Sequence, residues 1–332
     1  MNAWTRTRYG GPGVLSFREV PAPAPGAGEV AVRVRAASVN AADRYILHGR
    51  PRVARVVFGI GRPNTTRLGC DFAGEVESVG PGASRFRPGD RVFGSVRDEF
   101  KADIDRAFGE RVVTPGALLA PVPEGATFAA AAALPTAGMT ALRGIEAAGA
   151  RIGAGARVLV TGATGGVGGF AVQLAAARGA EVAAVCSAEA ADLARANGAS
   201  RVIDRAREDW LGEAAAFDAI LDVAAARPLR ENLRALRPGG VYVHLGSVDR
   251  GGYFSPLTGV LLHSALRHAL GDARVRLVTQ TPEQRLLAEL ASMLAAGTLR
   301  PALDSTFALA DLPRALDRFE RRGVRGKILV EG

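Results

Sequence analysis

The residues best placed to do chemistry lie in the stretch 157–175, RVLVTGATGGVGGFAVQLA. A short aliphatic run enters a turn with glycines at 162, 165, 166, 168 and 169, and an apolar helical pattern leaves it. That strand-turn-helix context is what a dinucleotide fingerprint requires. Glycines let the backbone approach a pyrophosphate, and a helix N-terminus offers amide donors and partial positive charge. Gly162, Gly165 and Gly168 form the spaced series, and Gly166 and Val167 present their amides to the phosphates. No Lys-Ser/Thr pair follows the glycines, which excludes a P-loop. The same turn also occurs in reductases whose catalysis needs a Tyr four residues before a Lys. At that spacing the four tyrosines are followed by Gly13, Gly49, Gly246 and Leu257, so that mechanism is excluded.

These residues need elements to position them. Up to about residue 120, Gly and Pro punctuate short alternating runs such as EVAVRVRAASV (29–39), GEVESVG (74–80) and PGDRVFG (88–94), which read as antiparallel strands joined by turns. From about Thr127, Ala/Leu-rich helical stretches alternate with the runs RVLVTG, AEVAAVCS, SRVIDR, FDAILDVA and GGVYVHLGS. Strands alternating with helices predict a doubly wound parallel sheet and an α/β fold. The tail from about residue 302 returns to strand-helix-strand and need not join that sheet. FAAAAALP (128–135) reads as the start of a helix. At 332 residues, two domains are expected.

The net charge of +9 would by itself suit nucleic acid, but all but two of the 42 basic residues are arginine, scattered without a basic block. That bias looks like a GC-rich coding preference, so no nucleic-acid partner is expected. The positive field still favours a phosphorylated cofactor. No apolar run reaches the roughly 18 residues that span a bilayer, and the N-terminus lacks a signal-peptide core, so a cytoplasmic protein with no membrane partner is expected. Cys70 and Cys186 read as buried thiols. His244, in VYVHLG, reads as a satisfied core histidine. His48 could approach a substrate. His263 and His268 are five apart and share no face well; their helix is expected to line a substrate cleft or a subunit contact.

Six blocks in order, SVNAADRY (38–45), LGCDFAGEVESVGPGASRFRPGDRVFG (68–94), ALPTAGMTAL (133–142), GATGGVGGFAVQLA (162–175), VIDRAREDW (202–210) and RGKILVEG (325–332), resemble the medium-chain dehydrogenase/reductase superfamily in its zinc-independent quinone oxidoreductase branch. The resemblance implies a GroES-like catalytic domain (1–123 and 281–332) around an inserted Rossmann domain (124–280), an active site in the cleft between them, and a homodimer formed through Rossmann edge strands. It implies cofactor contacts at Asn40, Thr140, Thr164, Gly165, Gly166, Val167, Ser187, Arg205, Val223, Leu245 and Lys327. Asn40 and Tyr45 match positions that face nicotinamide and substrate, Tyr45 as a proton donor or only a pocket wall. Asp43 is expected to tie the loop together.

Zinc-dependent relatives carry Cys and Gly-His-Glu in the first domain. Here those positions read SVNAAD and GCD, and one thiol cannot make the usual three-ligand site, so no metal is expected. Without a Lewis acid, reduction of an enone, enoyl group or quinone is favoured over oxidation of plain alcohols. The second Rossmann strand ends in Cys186 and Ser187, without the acidic residue that binds a free ribose 2′-hydroxyl. With Arg205 nearby, this points to NADP(H), although Arg205 also reads as one more solvated arginine and Glu189 stands where relatives often carry Arg. A pathway-specific reductase of specialised metabolism and an NADPH-binding sensor without turnover remain alternatives.

Overall fold

Short aliphatic runs can be buried on both faces only in a sheet covered by helices, and here four largely buried strands and two partly buried edge strands make one. The structure, a computed structural model, describes residues 1–332 except 51, 53, 54, 84, 97–105, 211, 213, 247–273, 279–281 and 322. The helix expected around His263 and His268 therefore lies outside the described residues. The chain divides into two units, Met1–Met139 with Thr281–Gly332, and Thr140–Gln280.

In the second unit all strands pair in parallel, in the order Arg201–Asp204, Glu181–Cys186, Arg157–Thr161, Phe217–Asp222, Leu236–His244 and Arg274–Leu277. By sequence rank this is 3-2-1-4-5-6, the doubly wound order, which reverses direction between Arg157–Thr161 and Phe217–Asp222. The helix Gly166–Ala177 begins straight after the first of these strands and buries Phe170, Val172 and Leu174.

The first unit is built on a seven-stranded sheet. Its path runs Leu303–Ala308, Lys327–Glu331, Glu29–Ser38, Asp71–Val79, Arg91–Ser95 and Leu119–Pro121, with Arg111–Pro115 also on Glu29–Ser38. All pairs are antiparallel except the first. The returning tail thus joins this sheet. Helix Leu312–Glu320 buries Leu312, Ala315 and Leu316 in the same core, with Trp4, Phe72, Phe108 and Ile328. Arg33 and Arg35 on the strand Glu29–Ser38 reach across to Glu77 and Glu75, each at 2.7 Å.

Residues 128–132 do form a helix, Phe128–Ala132, with the Thr127 side chain accepting from the Ala130 amide at 3.1 Å. The helix packs on the strands Glu29–Ser38 and Asp71–Val79, so the division falls at Met139/Thr140, beyond the 123/124 boundary expected from sequence.

Candidate functional site

The glycine turn sits at the reversal of strand order, where open α/β sheets bind their ligands. Gly162 has φ of 63°, a region that favours glycine, and its carbonyl accepts from the Gly165 amide at 3.1 Å. A Cβ on Gly168 would lie 2.1 Å from the Gly162 carbonyl oxygen, so this position has no room for a side chain. Gly165 caps the helix Gly166–Ala177, and the amides of Gly166 and Val167, in its first turn, have no intrahelical acceptor. Thr164 is buried beside them. A dinucleotide pyrophosphate fits this arrangement: half-buried glycines, close backbone and outward amides.

Register brings Ser187 and Arg205 together. Asp204 pairs with Cys186, and the Arg205 amide donates to the Cys186 carbonyl at 2.9 Å. Both residues therefore leave the sheet at the same end of neighbouring strands. Glu189 is exposed just beyond. Burial, then the Asp204 charge, pushes the Cys186 thiol above its usual range, which disfavours the thiolate.

Sequence reasoning missed Asp222. Its Oδ1 accepts from the Thr161 hydroxyl and from the Ala225 amide at 2.9 Å, and its Oδ2 accepts from the Tyr242 hydroxyl at 2.6 Å. The Tyr242 oxygen lies 3.3 Å from His244 Nδ1. Burial raises the Tyr242 hydroxyl and lowers the His244 imidazole, leaving both neutral at neutral pH. Val223 follows Asp222, and the Leu245 amide donates to the Asp222 carbonyl at 3.0 Å. A carboxylate closing a strand has no distinctive local pattern, and only the parallel register brings Thr161 and Tyr242 to it.

In the first unit, strand pairing gathers a second polar cluster, buried except for the half-buried Thr136. Asn40 caps the helix Ala41–His48, its amide donating to Asp43 Oδ2 at 2.8 Å, and Asp43 Oδ1 accepts from Gly69 at 3.0 Å. Asp43 thus ties the two loops together. Lys327 donates to Asn40 Oδ1 at 2.5 Å and to the Val39 carbonyl at 3.2 Å. Asn40 Nδ2 donates to Asp71 Oδ2 at 3.0 Å and to the Ser38 carbonyl at 3.3 Å. Thr136 gives Asp71 both its amide, at 2.9 Å, and its hydroxyl, at 2.7 Å. The Asn40 side-chain amide is therefore spent as a donor, and only Oδ1 keeps a spare acceptor lone pair.

Charge in this cluster is strongly perturbed. Burial pushes Asp43 up to about 7, with the Asp71 charge adding and the Asn40 and Gly69 amides and Lys327 opposing. Burial also raises Asp71 and lowers Lys327, and each counters the other's shift. Cys70 Sγ is 3.9 Å from Asp43 Oδ1, and among the described residues no three His, Cys, Asp or Glu side chains gather as a metal site.

Of the remaining candidates, Tyr45 is half-buried on the helix Ala41–His48. His48 Nε2 is 2.5 Å from Glu320 Oε1, so its ring is held by the helix Leu312–Glu320. Thr140 is buried at the start of the second unit.

Residues 26–142 match the alcohol dehydrogenase GroES-like domain, and residues 197–330 match the zinc-binding dehydrogenase family. The mitochondrial NAD(P)H oxidoreductase RTN4IP1 of Mus musculus is 32% identical over 361 residues, covering 99% of this chain and 89% of that protein. The quinone oxidoreductase of Pseudomonas aeruginosa is 31% identical over 336 residues, covering 97% of each. The solved quinone oxidoreductase from Coxiella burnetii superposes with a TM-score of 0.87 at 26% identity, covering 100% of this chain and 99% of that one. Fold and matches together define an oxidoreductase of the alcohol-dehydrogenase type. The chain belongs to the medium-chain dehydrogenase/reductase superfamily, in its quinone oxidoreductase-like branch.

Proposed function

We propose that this protein is a zinc-independent, NADPH-dependent reductase of quinones or activated alkenes. The observation that carries the reading is the glycine turn at the strand-order reversal, with Gly168 too close to Gly162 for any side chain and the Gly166 and Val167 amides opening the helix. The relatives' names, an NAD(P)H oxidoreductase and a quinone oxidoreductase, support it. Ser187 and Arg205, leaving adjacent strands together, would receive a ribose 2′-phosphate, with a charge-assisted bond worth roughly 1.5–3 kcal/mol.

Zinc does not suit the first-unit cluster. The Asp71 oxygens already accept from Thr136 and Asn40, and the Lys327 ammonium supplies the positive charge a metal would bring. When bound, the cofactor supplies a hydride to an electrophilic carbon, and negative charge grows on the acceptor's carbonyl oxygen. Donors aimed at such an oxygen contribute on the order of 3 kcal/mol each. Tyr45 is the residue assigned this donor role, and it can deliver the proton that completes the reduction. Asn40, its amide hydrogens committed, serves as an oriented acceptor fixed by Lys327.

The test is NADPH and NADH oxidation, followed by the loss of reduced-nicotinamide absorbance, with a panel of quinones and enones. Turnover of several acceptors, faster with NADPH, is expected. Tight NADPH binding without turnover of any acceptor would favour a sensor, and turnover of one elaborate substrate alone would favour a pathway-specific enzyme.

A further inference from the structure

We propose that Asp222 is a positioning residue for dinucleotide binding, one carboxylate that sets the shape of three backbone segments at the cofactor edge of the second unit; this rests on the cofactor reading above. Asp222 is 1% exposed and closes the strand next to the reversal. Its side-chain donors are all neutral: the Thr161 hydroxyl, the Ala225 amide and the Tyr242 hydroxyl.

Each bond controls a different segment. Thr161, which leads into the glycine turn, donates to Asp222 while its Oγ1 accepts from the Ala224 amide at 3.1 Å. The turn 223–225 therefore hangs from both side chains, and Ala224 lies against Gly162. Ala225 sits at φ of 43°, a left-handed conformation unusual for a residue with a Cβ, held by the hydrogen bond its backbone amide donates to Asp222 Oδ1 at 2.9 Å. The Asp222 carbonyl accepts from Leu245 at 3.0 Å and Gly246 at 3.3 Å. A Cβ on Gly246 would lie 1.9 Å from the Val223 carbonyl oxygen, so that exit runs pressed against the strained turn. Val223, Leu245 and the glycine turn are three of the backbone sites assigned to the cofactor, and Asp222 touches or adjoins all of them.

The role predicts a pattern that simple loss of stability does not. Dissociation constants for NADPH are measured by fluorescence titration, with melting temperature recorded without cofactor. Asp222→Asn should weaken NADPH binding about 10- to 100-fold, the range for hydrogen bonds to a charged group. Ala225→Gly should restore part of the affinity lost in Asp222→Asn, the share that runs through the turn 223–225, because glycine holds a positive φ without the carboxylate. Thr161→Val should weaken binding, and Thr161→Ser, which keeps the hydroxyl, should not. Unchanged affinity in a folded Asp222→Asn, or no rescue by Ala225→Gly, would overturn the assignment. If Asp222→Asn does not fold, equal affinities for Thr161→Val and Thr161→Ser overturn it, and a selective loss in Thr161→Val supports it. Native protein that binds neither NADPH nor NADH would overturn the cofactor reading itself, whereas native binding with insensitive variants overturns only the role of Asp222.

Discussion

Replacing Asp43 with Asn should remove a pH dependence of stability that the buried cluster builds into the first unit. The Asp43 carboxyl is 0% exposed, and burial lifts it from 3.8 to about 7. Between those values the folded chain holds a proton that the unfolded chain has released. Fewer protons on the unfolded state mean that unfolding free energy falls as pH rises. The contribution is complete below about pH 4 and is lost as pH passes through about 7. The folded chain thus binds this proton about a thousandfold more tightly than the unfolded chain does. At roughly 1.36 kcal/mol for each factor of ten, the ceiling is about 4 kcal/mol.

Asparagine stays neutral throughout, but it has one oxygen where Asp43 presents two, to Asn40 and Gly69. Its NH2 group must face one of those amides, a mismatch worth about 1–3 kcal/mol. The variant should therefore be the less stable chain at about pH 4.5, with the gap narrowing as pH rises to about 8. Urea unfolding of both proteins, followed by circular dichroism at several pH values, measures it. A gap that stays constant or widens with pH would refute the reasoning.

Three further outcomes are expected. Gly168→Ala forces a Cβ within 2.1 Å of the Gly162 carbonyl oxygen and should cost about 1–3 kcal/mol, with weaker NADPH binding in titrations of the folded variant. Arg205→Ala should raise KM for NADPH about tenfold, the loss of one charge-assisted bond, and leave NADH nearly unchanged in steady-state assays; equal effects on both would sink the 2′-phosphate assignment. Tyr45→Phe should lower kcat on a good enone about 100-fold, as removal of an oriented donor does, and wild-type kcat would reduce Tyr45 to a pocket wall.

Much of this was readable along the chain, for identifiable reasons. The glycine turn is local: its strand, turn and helix are contiguous, so spacing alone announces it. The alternation of runs and helices likewise announced the parallel sheet. Lys327 and Asn40 stand 287 residues apart; resemblance named each as a cofactor contact, and their pairing emerges only in the fold, because no local pattern links RGKILV to NAADRY. That the Asn40 amide is consumed by Asp71 and Ser38 follows from the register of the strands Glu29–Ser38 and Asp71–Val79, which sequence does not fix. Asp222 was hidden for the same reason. His48 looked available from its place after NAADRY, and only the packing of a helix from the far end of the chain ties it to Glu320.

The separation of Lys327 from Asn40 also dictates an order of assembly. The second unit is one continuous stretch, 140–280, whose strands close over short intervals, whereas the first unit's sheet must join residues on both sides of that stretch. Closing a longer loop costs more chain entropy, so the inserted unit should fold first and shorten the loop its host must close. The two tryptophans report on this separately. Trp210 is buried in the second unit's core, and the Trp4 indole donates to the Leu309 carbonyl, 305 residues away, at 2.7 Å. In refolding, the fluorescence of Trp210 should settle ahead of that of Trp4, and the burial of Lys327 should belong to the later phase.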